Sequence, residues 1–204
     1  ACAASKVLRS QEGGIVNQNE PRPASIEDAI FVDEVGIETG IYGDFRLKTA
    51  YQPIFQRVGH SLLPVAVEGL LAVYREGRAV DTRAFLDAVP PEDRLFIDSM
   101  CRCLHIRNHC NIGQPDLRLY FNYDPRANAD IDGSLREIRT MASCLSETGL
   151  DSRLLVCEIT EADALDDSTL VAVAEIMRAL GIRVAVGNFG AGSSTDERIS
   201  RLVP

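Results

Sequence analysis

Four residues carry side-chain oxygen at or near expected strand ends: Glu68 within a strand, Asn122 and Glu158 at strand ends, and Asn188 just after one. Two carboxylates and two amides brought together are hard oxygen donors, the set that Mg²⁺ or Mn²⁺ prefers. In a parallel α/β barrel the C-terminal strand ends converge on one mouth, where active sites are built. Polar residues at strand ends also serve simply to cap the next loop, so spacing alone leaves both readings open. Other clusters point less clearly to chemistry. Cys101, Cys103 and His105, with His109 and Cys110, invite a zinc reading. Only Cys101, His105 and His109 would share a helix face, and C-x-C is not the usual zinc spacing, so core packing is the expectation. The run Glu161, Asp163, Asp166, Asp167 reads as a solvated loop and a helix cap, with Asp163 or Asp124 as an alternative source of a carboxylate at the mouth. Gly187, Gly190 and Gly192 form G-x-x-G-x-G, which is neither a Walker loop nor a dinucleotide fingerprint and reads as a tight loop after a strand. His60, His105 and His109 all fall away from expected strand ends, so no Ser–His–Asp arrangement can be built.

The elements that must position these residues follow from periodicity. Residues 1 to about 25 are polar and aperiodic, with Gly13, Gly14, Pro21 and Pro23. A short helix is expected over Ile26 to Val35, with Ser25 as N-cap. The globular signal starts near Phe45, which divides the chain into a tail (1–44) and a domain (45–204). Thr49 to Phe55 and Leu62 to Val73 read as strands around a Gly-containing break at Arg57 to His60, hence an antiparallel hairpin. Asp81 caps a helix over Thr82 to Ala88, and Pro90 and Pro91 separate it from a helix whose apolar face is Phe96, Ile97, Met100, Cys101 and Leu104. The pattern then alternates: strand Leu117–Phe121, helix Ile131–Thr148 stopped by Gly149, strand Leu154–Ile159, helix Ser168–Leu180 stopped by Gly181, strand Arg183–Val186, and a further helix from about Ser194. Such alternation means a parallel sheet covered by helices, either doubly wound or a (β/α) barrel.

Composition bounds the function. The chain has 204 residues, 30 acidic and 21 basic, for a net charge of −9, and 46% hydrophobic residues. This is one globular domain with trimmings, not a fibrous or disordered chain. The acidic balance argues against a face for a nucleic-acid polymer, although a metal can reverse the local sign at a phosphate site. No uncharged apolar run is long enough for a membrane-spanning helix. The six cysteines sit mostly in apolar periodic segments, which suggests reduced, buried thiols in a cytoplasmic protein. The first residue is not Met, so the chain is read as a piece of something longer, with room for an upstream anchor.

Five blocks in order make the sequence resemble the EAL domain, the bacterial cyclic di-GMP phosphodiesterase module. Tyr51-Gln52-Pro53-Ile54 looks like the opening Y-Q-P-I, and Val67-Glu68-Gly69-Leu70-Leu71 looks like the E-A-L-L signature with Gly69 in place of alanine. Leu119 to Asn122 falls on V-N-L-S, Glu158 to Glu161 on E-[IL]-T-E, and Val184 to Ser194 on I-A-L-D-D-F-G-T-G-Y-S. The resemblance implies a modified (β/α)₈ barrel with one antiparallel strand, here incomplete at its C-terminus because the blocks stop near Pro204, before the family's K-I-D block. It also implies two divalent cations that polarise the attacking water. By position Glu68, Asn122, Glu158 and Asn188 are the residual metal ligands, and Gln52, Leu70, Glu161 and Gly190 are candidates for contact with the dinucleotide.

The departures carry the functional reading. The family's paired aspartates fall on Gly187 and Asn188, so two negative charges are missing from a site meant for two dications. A residual single Mg²⁺ or Mn²⁺ site is expected rather than an intact pair. Loss of the second metal would cost roughly a thousandfold in rate if it supplies several kcal/mol. The arginine that follows E-A-L-L in active members is Ala72 here, with Arg75 three residues on. Thr-to-Ala191 and Tyr-to-Ser193 alter the loop that family members use in metal sensing and dimerisation. The leading expectation is a degenerate, non-hydrolysing domain that regulates cyclic di-GMP signalling by binding the dinucleotide, docking a protein, or both. The alternatives are a pure protein-interaction module and an active phosphodiesterase with a rebuilt site. A homodimer is compatible with the family but is not specified by this loop.

Overall fold

The computed structural model describes residues 23–114, 116–123, 131–160 and 167–187. Ser25 caps α1 (Ile26–Ala29) by accepting from the Asp28 main-chain N–H. The helix expected to reach Val35 stops there, because Ile30-Phe31-Val32 is β-branched and aromatic and enters β1 (Ile30–Val32) instead. Asp33 then turns the chain, its carboxylate accepting from the N–H groups of Val35 (3.0 Å) and Ile37 (2.8 Å), with Gly36 at φ +83°. β1 pairs antiparallel with β2 (Glu38–Tyr42), and β2 with β3 (Phe45–Val58), so the sheet begins well before Phe45.

The expected hairpin is present and longer than its apolar runs suggested. β3 and β4 (Ser61–Arg75) are antiparallel along almost their whole length and are joined only by Gly59 and His60. A short β5 (Arg78–Val80) folds back on β4 after Glu76 and Gly77, a strand with no sequence signal of its own. Asp81 caps α2 (Thr82–Ala88), accepting from Ala84 N–H at 2.7 Å, and α3 (Pro91–His109) starts on Pro91 as expected. Then come β6 (Arg118–Tyr123), α4 (Ile131–Thr148), β7 (Leu155–Thr160), α5 (Asp167–Ala179) and β8 (Arg183–Gly187). Gly149 and Gly181 follow α4 and α5 at φ +65° and +82°, the left-handed geometry that terminates a helix. The expected helix near Ser194 lies outside the described residues.

The sheet order is β1-β2-β3-β4-β6-β7-β8, with β5 on β4. The β4–β6, β6–β7 and β7–β8 pairs are parallel and the rest antiparallel, so a parallel wall is bounded by the hairpin. Among the described residues no pairing joins β8 to β1, and this wall is open. One apolar core lies between the parallel strands and α3, α4 and α5, around Leu119, Phe121, Leu155, Ile159, Met141 and Val173. A second lies between β2–β4, α2 and α3, around Phe45, Leu47, Phe85, Ile97 and Met100.

α3 is therefore covered on most sides, and its polar residues are buried together with its apolar ones. Arg102 pairs with Glu137 of α4 inside the protein, Ser99 donates to the same carboxylate at 3.2 Å, and the guanidinium sits 5.4 Å from the centre of the Tyr123 ring. Asn108 brackets Glu38, accepting its N–H at 2.8 Å and donating to its carbonyl at 2.9 Å, which fastens β2 to α3. The cysteine expectation is corrected here: Cys103 of α3 and Cys144 of α4 are joined as a disulfide, with Cα atoms 5.9 Å apart. Helix packing brings the two cysteines face to face although 41 positions separate them, which spacing could not reveal. Cys101 and Cys157 remain free and buried, and Cys110 free and exposed.

Candidate functional site

β-strand alternation decides which residues share the face away from the helices. Val67, Gly69 and Val73 of β4 face α3, so Glu68, Leu70 and Ala72 face the opposite side. Gln52 is paired with Glu68 across β3–β4 and shares that face. On β6 it is Tyr120 and Asn122, and on β7 Glu158, which is in register with Asn122. Parallel pairing of β4, β6 and β7 then brings three of the four sequence-predicted donors to one place.

The Asn122 side-chain amide donates to Glu68 Oε1 at 2.9 Å. Glu158 is half-buried, and burial, followed by the repulsion of Glu68, pushes its carboxyl above the usual carboxylate range. A neighbouring cation would relieve both effects. Gly187, at the end of β8, is occupied from the side: a Cβ there would lie 2.6 Å from Glu158 Oε1. The Glu158 carboxylate thus fills the space in which a side chain at 187 would begin. Two carboxylates and one amide suit one hard divalent cation. They do not suit two, because no third carboxylate accompanies them among the described residues. Among the described residues no group of three or more His, Cys, Asp or Glu side chains is placed to hold a metal, and Cys103 is engaged by Cys144.

The other predicted positions divide. Gln52 and Leu70 stand beside Glu68 on the same face, as the resemblance implies. Asn188, Glu161 and Gly190 lie outside the described residues, as do Asp124 and Asp163. Arg75 does not substitute for an arginine at Ala72. It bonds Asp44 at 2.6 Å and stacks on Phe45, 5.4 Å from the ring centre. A cleft of about 380 Å³ opens beside the donors, between β4, α2 and α3, and is lined by Leu71, Leu86, Cys101, Arg102, His105 and Asn122. The sequence pattern marks His105 only as a core or zinc residue, yet it is packed on Gly69, next to Glu68. The one signal that could have found it is the unusual glycine at the centre of the signature.

A parallel wall with helices on one face, Asn122 and Glu158 near its strand ends and Glu68 beside them is the architecture of a barrel-type α/β protein. Residues 41–204 match the EAL domain, and the chain belongs to that family. A search of curated proteins gives no match. Among solved structures, the chain is similar to the YkuI protein of Bacillus subtilis, with an EAL domain, in complex with substrate c-di-GMP and calcium. The identity is 25% and the TM-score 0.64, over 78% of this chain and 40% of that one. It is similar in fold to a standalone EAL protein from Vibrio cholerae O395 in its c-di-GMP-bound form, at 23% identity and TM-score 0.63, over 78% and 64% of the two chains. BlrP1 of Klebsiella pneumoniae, in a manganese and cyclic di-GMP complex, matches at 17% identity and TM-score 0.53, over 78% and 42%. The chain thus spans 40% and 64% of the length of the first two. The family is the one that the five sequence blocks resemble. No helix among the described residues is long and apolar enough to cross a membrane.

Proposed function

We propose that this chain is a non-hydrolysing EAL domain that acts as a regulatory module in bacterial cyclic di-GMP signalling. The observation that carries the reading is the end of β8. Gly187 has no side chain, and the Glu158 carboxylate stands 2.6 Å from where its Cβ would be. A bridging carboxylate is absent by residue type, and one introduced there would meet the far end of the Glu158 side chain. Asn188, neutral by sequence, adds no charge. Glu68, Asn122 and Glu158 would hold one Mg²⁺ or Mn²⁺, which when bound offsets their charge and attracts a phosphate oxygen. Attack on a phosphodiester in the two-metal manner needs a second ion to activate water and stabilise the leaving oxygen. With one ion, binding outlasts cutting. Gln52 and Leu70 would contact the dinucleotide beside Glu68, and Asn188, Glu161 and Gly190 would complete the site by family position. The domain acts in the cytoplasm, and its output passes to a protein partner or a second copy.

A second reading, a protein-docking module without ligand, is favoured by one observation. Arg75 is held by Asp44 and Ala72 cannot contact a phosphate, so the charge-assisted grip on the ligand is missing. Calorimetric titration of cyclic di-GMP with Mg²⁺ present separates the readings. Saturable heat with the dinucleotide recovered intact supports the receptor. No heat up to millimolar ligand supports the docking module. Sustained heat with the linear dinucleotide as product refutes both.

A further inference from the structure

We propose that His105 is a positioning residue. Its imidazole occupies the place of a side chain at position 69, and the Gly69–His105 contact sets where β4 presents Glu68. A Cβ on Gly69 would lie 2.7 Å from His105 Cγ and 3.0 Å from its Cβ and Cδ2. Nothing larger than hydrogen fits between the strand and the ring. The neighbours in this contact are ring and main-chain-proximal atoms, not the far end of a flexible side chain, so the helix or the strand must shift if position 69 gains a methyl.

His105 is fixed from the hairpin as well. Its Nδ1 and Thr49 Oγ1 are 2.9 Å apart, and its main-chain carbonyl accepts from the Tyr51 hydroxyl at 2.6 Å. Tyr51 is the cross-strand partner of Gly69, and the next pair along is Gln52 with Glu68. α3 is therefore pinned at one residue to two adjacent strands, one peptide away from the site. β4 is bonded to β3 on one side and to β6 on the other over Ala66 to Gly69. It cannot yield at residue 69 without moving Glu68, and Glu68 cannot move without disturbing the hydrogen bond from Asn122. The glycine at the centre of the signature is thus one half of a pair whose other half is 36 residues away on α3. This inference does not depend on whether the domain binds or cuts a dinucleotide.

The test is a double-substitution cycle in the full chain: Gly69→Ala, His105→Ala, and both together. Thermal midpoints are measured together with the Asn122 side-chain amide resonance, which reports the bond to Glu68 and is assigned with Asn122→Ala. Gly69→Ala alone is expected to lower the midpoint by on the order of 5 °C, from overpacking, and to move the Asn122 resonance. Adding His105→Ala should raise the midpoint again and return the resonance toward that of the unsubstituted protein. If Gly69→Ala alone does not fold, the double substitution still should. The proposal is overturned if His105→Ala lowers the midpoint equally with and without Gly69→Ala. It is also overturned if Gly69→Ala folds and leaves the Asn122 resonance in place, or if the double substitution fails to fold while His105→Ala alone folds.

Discussion

Acid should weaken this domain through one buried histidine. His105 is 5% exposed, and burial, with the Arg102 cation nearby, pushes its pKa from 6.5 down to about 4. The unfolded chain takes up this proton near pH 6.5 and the folded protein near pH 4. The stabilising contribution is complete above pH 6.5 and is lost as pH falls from there toward 4. One pKa unit corresponds to about 1.4 kcal/mol, so the complete loss is about 3.5 kcal/mol. Linkage puts about 2 kcal/mol of it between pH 7.5 and pH 5. The groups facing His105 do not reverse the sign. Cys101 is pushed up to about 12 by burial and stays neutral, and burial raises the Tyr51 phenol well beyond this window. Asp98, which lines the same cleft, is the one carboxylate there. His109, lowered by burial against the raising effect of a hydrogen bond to the Leu117 main chain, adds a loss in the same direction.

Urea unfolding of the protein and of His105→Gln at pH 7.5 and pH 5 isolates the effect, because each protein is compared with itself. The natural protein should lose about 2 kcal/mol more than the variant over this interval. Equal losses would mean that His105 is solvated enough to titrate normally in the fold. A smaller loss in the natural protein would mean that it gains a carboxylate partner on protonation, with Asp98 the first to substitute.

Other consequences follow from packing and chemistry. Glu137→Ala leaves the Arg102 cation buried and unpaired and should cost about 3–5 kcal/mol in urea unfolding, whereas a loss under about 1 kcal/mol would show that water reaches the pair. The Cys103–Cys144 disulfide closes a loop whose ends are 41 residues apart, so reduction should lower stability by about 4 kcal/mol. Mass measurement after alkylation without reductant should find both residues unmodified, and two alkylated thiols there would contradict the bond and favour the reduced state usual in cytoplasm. Gly187→Asp combined with Asn188→Asp should confer Mn²⁺-dependent release of linear dinucleotide if the rest of the site is intact. The new side chain at 187 must displace the Glu158 carboxylate, and absence of activity in a folded double variant would show that the aspartates are not the only defect.

The parallel part of the fold was legible because each element carried its own signal. α4 ends at Thr148, just before Gly149, α5 ends at Ala179, two residues before Gly181, and Asp81 caps α2 as expected. The shared place of Glu68, Asn122 and Glu158 is legible because they fall within strands whose periodicity is clear. What escaped depends on contacts between distant segments. Ser25, Glu27 and Asp28 signal a helix start, and the β-branched and aromatic run Ile30-Phe31-Val32 is too short to outweigh that signal until β2 pairs with it. β5 is three residues long and exists only because β4 offers an edge. The disulfide and the Gly69–His105 contact each join residues tens of positions apart. One sequence holds no record of such a meeting beyond an unusual residue type at one end of it.

Charge at the strand ends determines how an anionic ligand could be held there. Glu68 and Glu158 bring two negative charges, while Gly187 and Asn188 bring none. A cyclic dinucleotide carries one negative charge on each of its two phosphodiesters. Without a cation, phosphate and carboxylate about 5 Å apart repel by roughly 3 kcal/mol per pair at an effective dielectric constant of 20. One dication balances both carboxylates and leaves the phosphate attracted; a second would find no carboxylate left to balance it among the described residues. Binding should therefore be obligatorily cation-dependent, with one ion per chain. Chelation with EDTA should abolish the calorimetric signal of cyclic di-GMP, and Mg²⁺ or Mn²⁺ should restore it with a one-to-one stoichiometry. The ion should also draw the raised Glu158 carboxyl back toward the usual range, so that binding falls less steeply with acid when the metal is in excess. Affinity that survives EDTA would place the dinucleotide away from Glu68 and Glu158. Two ions per chain would mean that residues beyond this pair supply the missing charge, and the non-hydrolysing reading would then lose its physical basis.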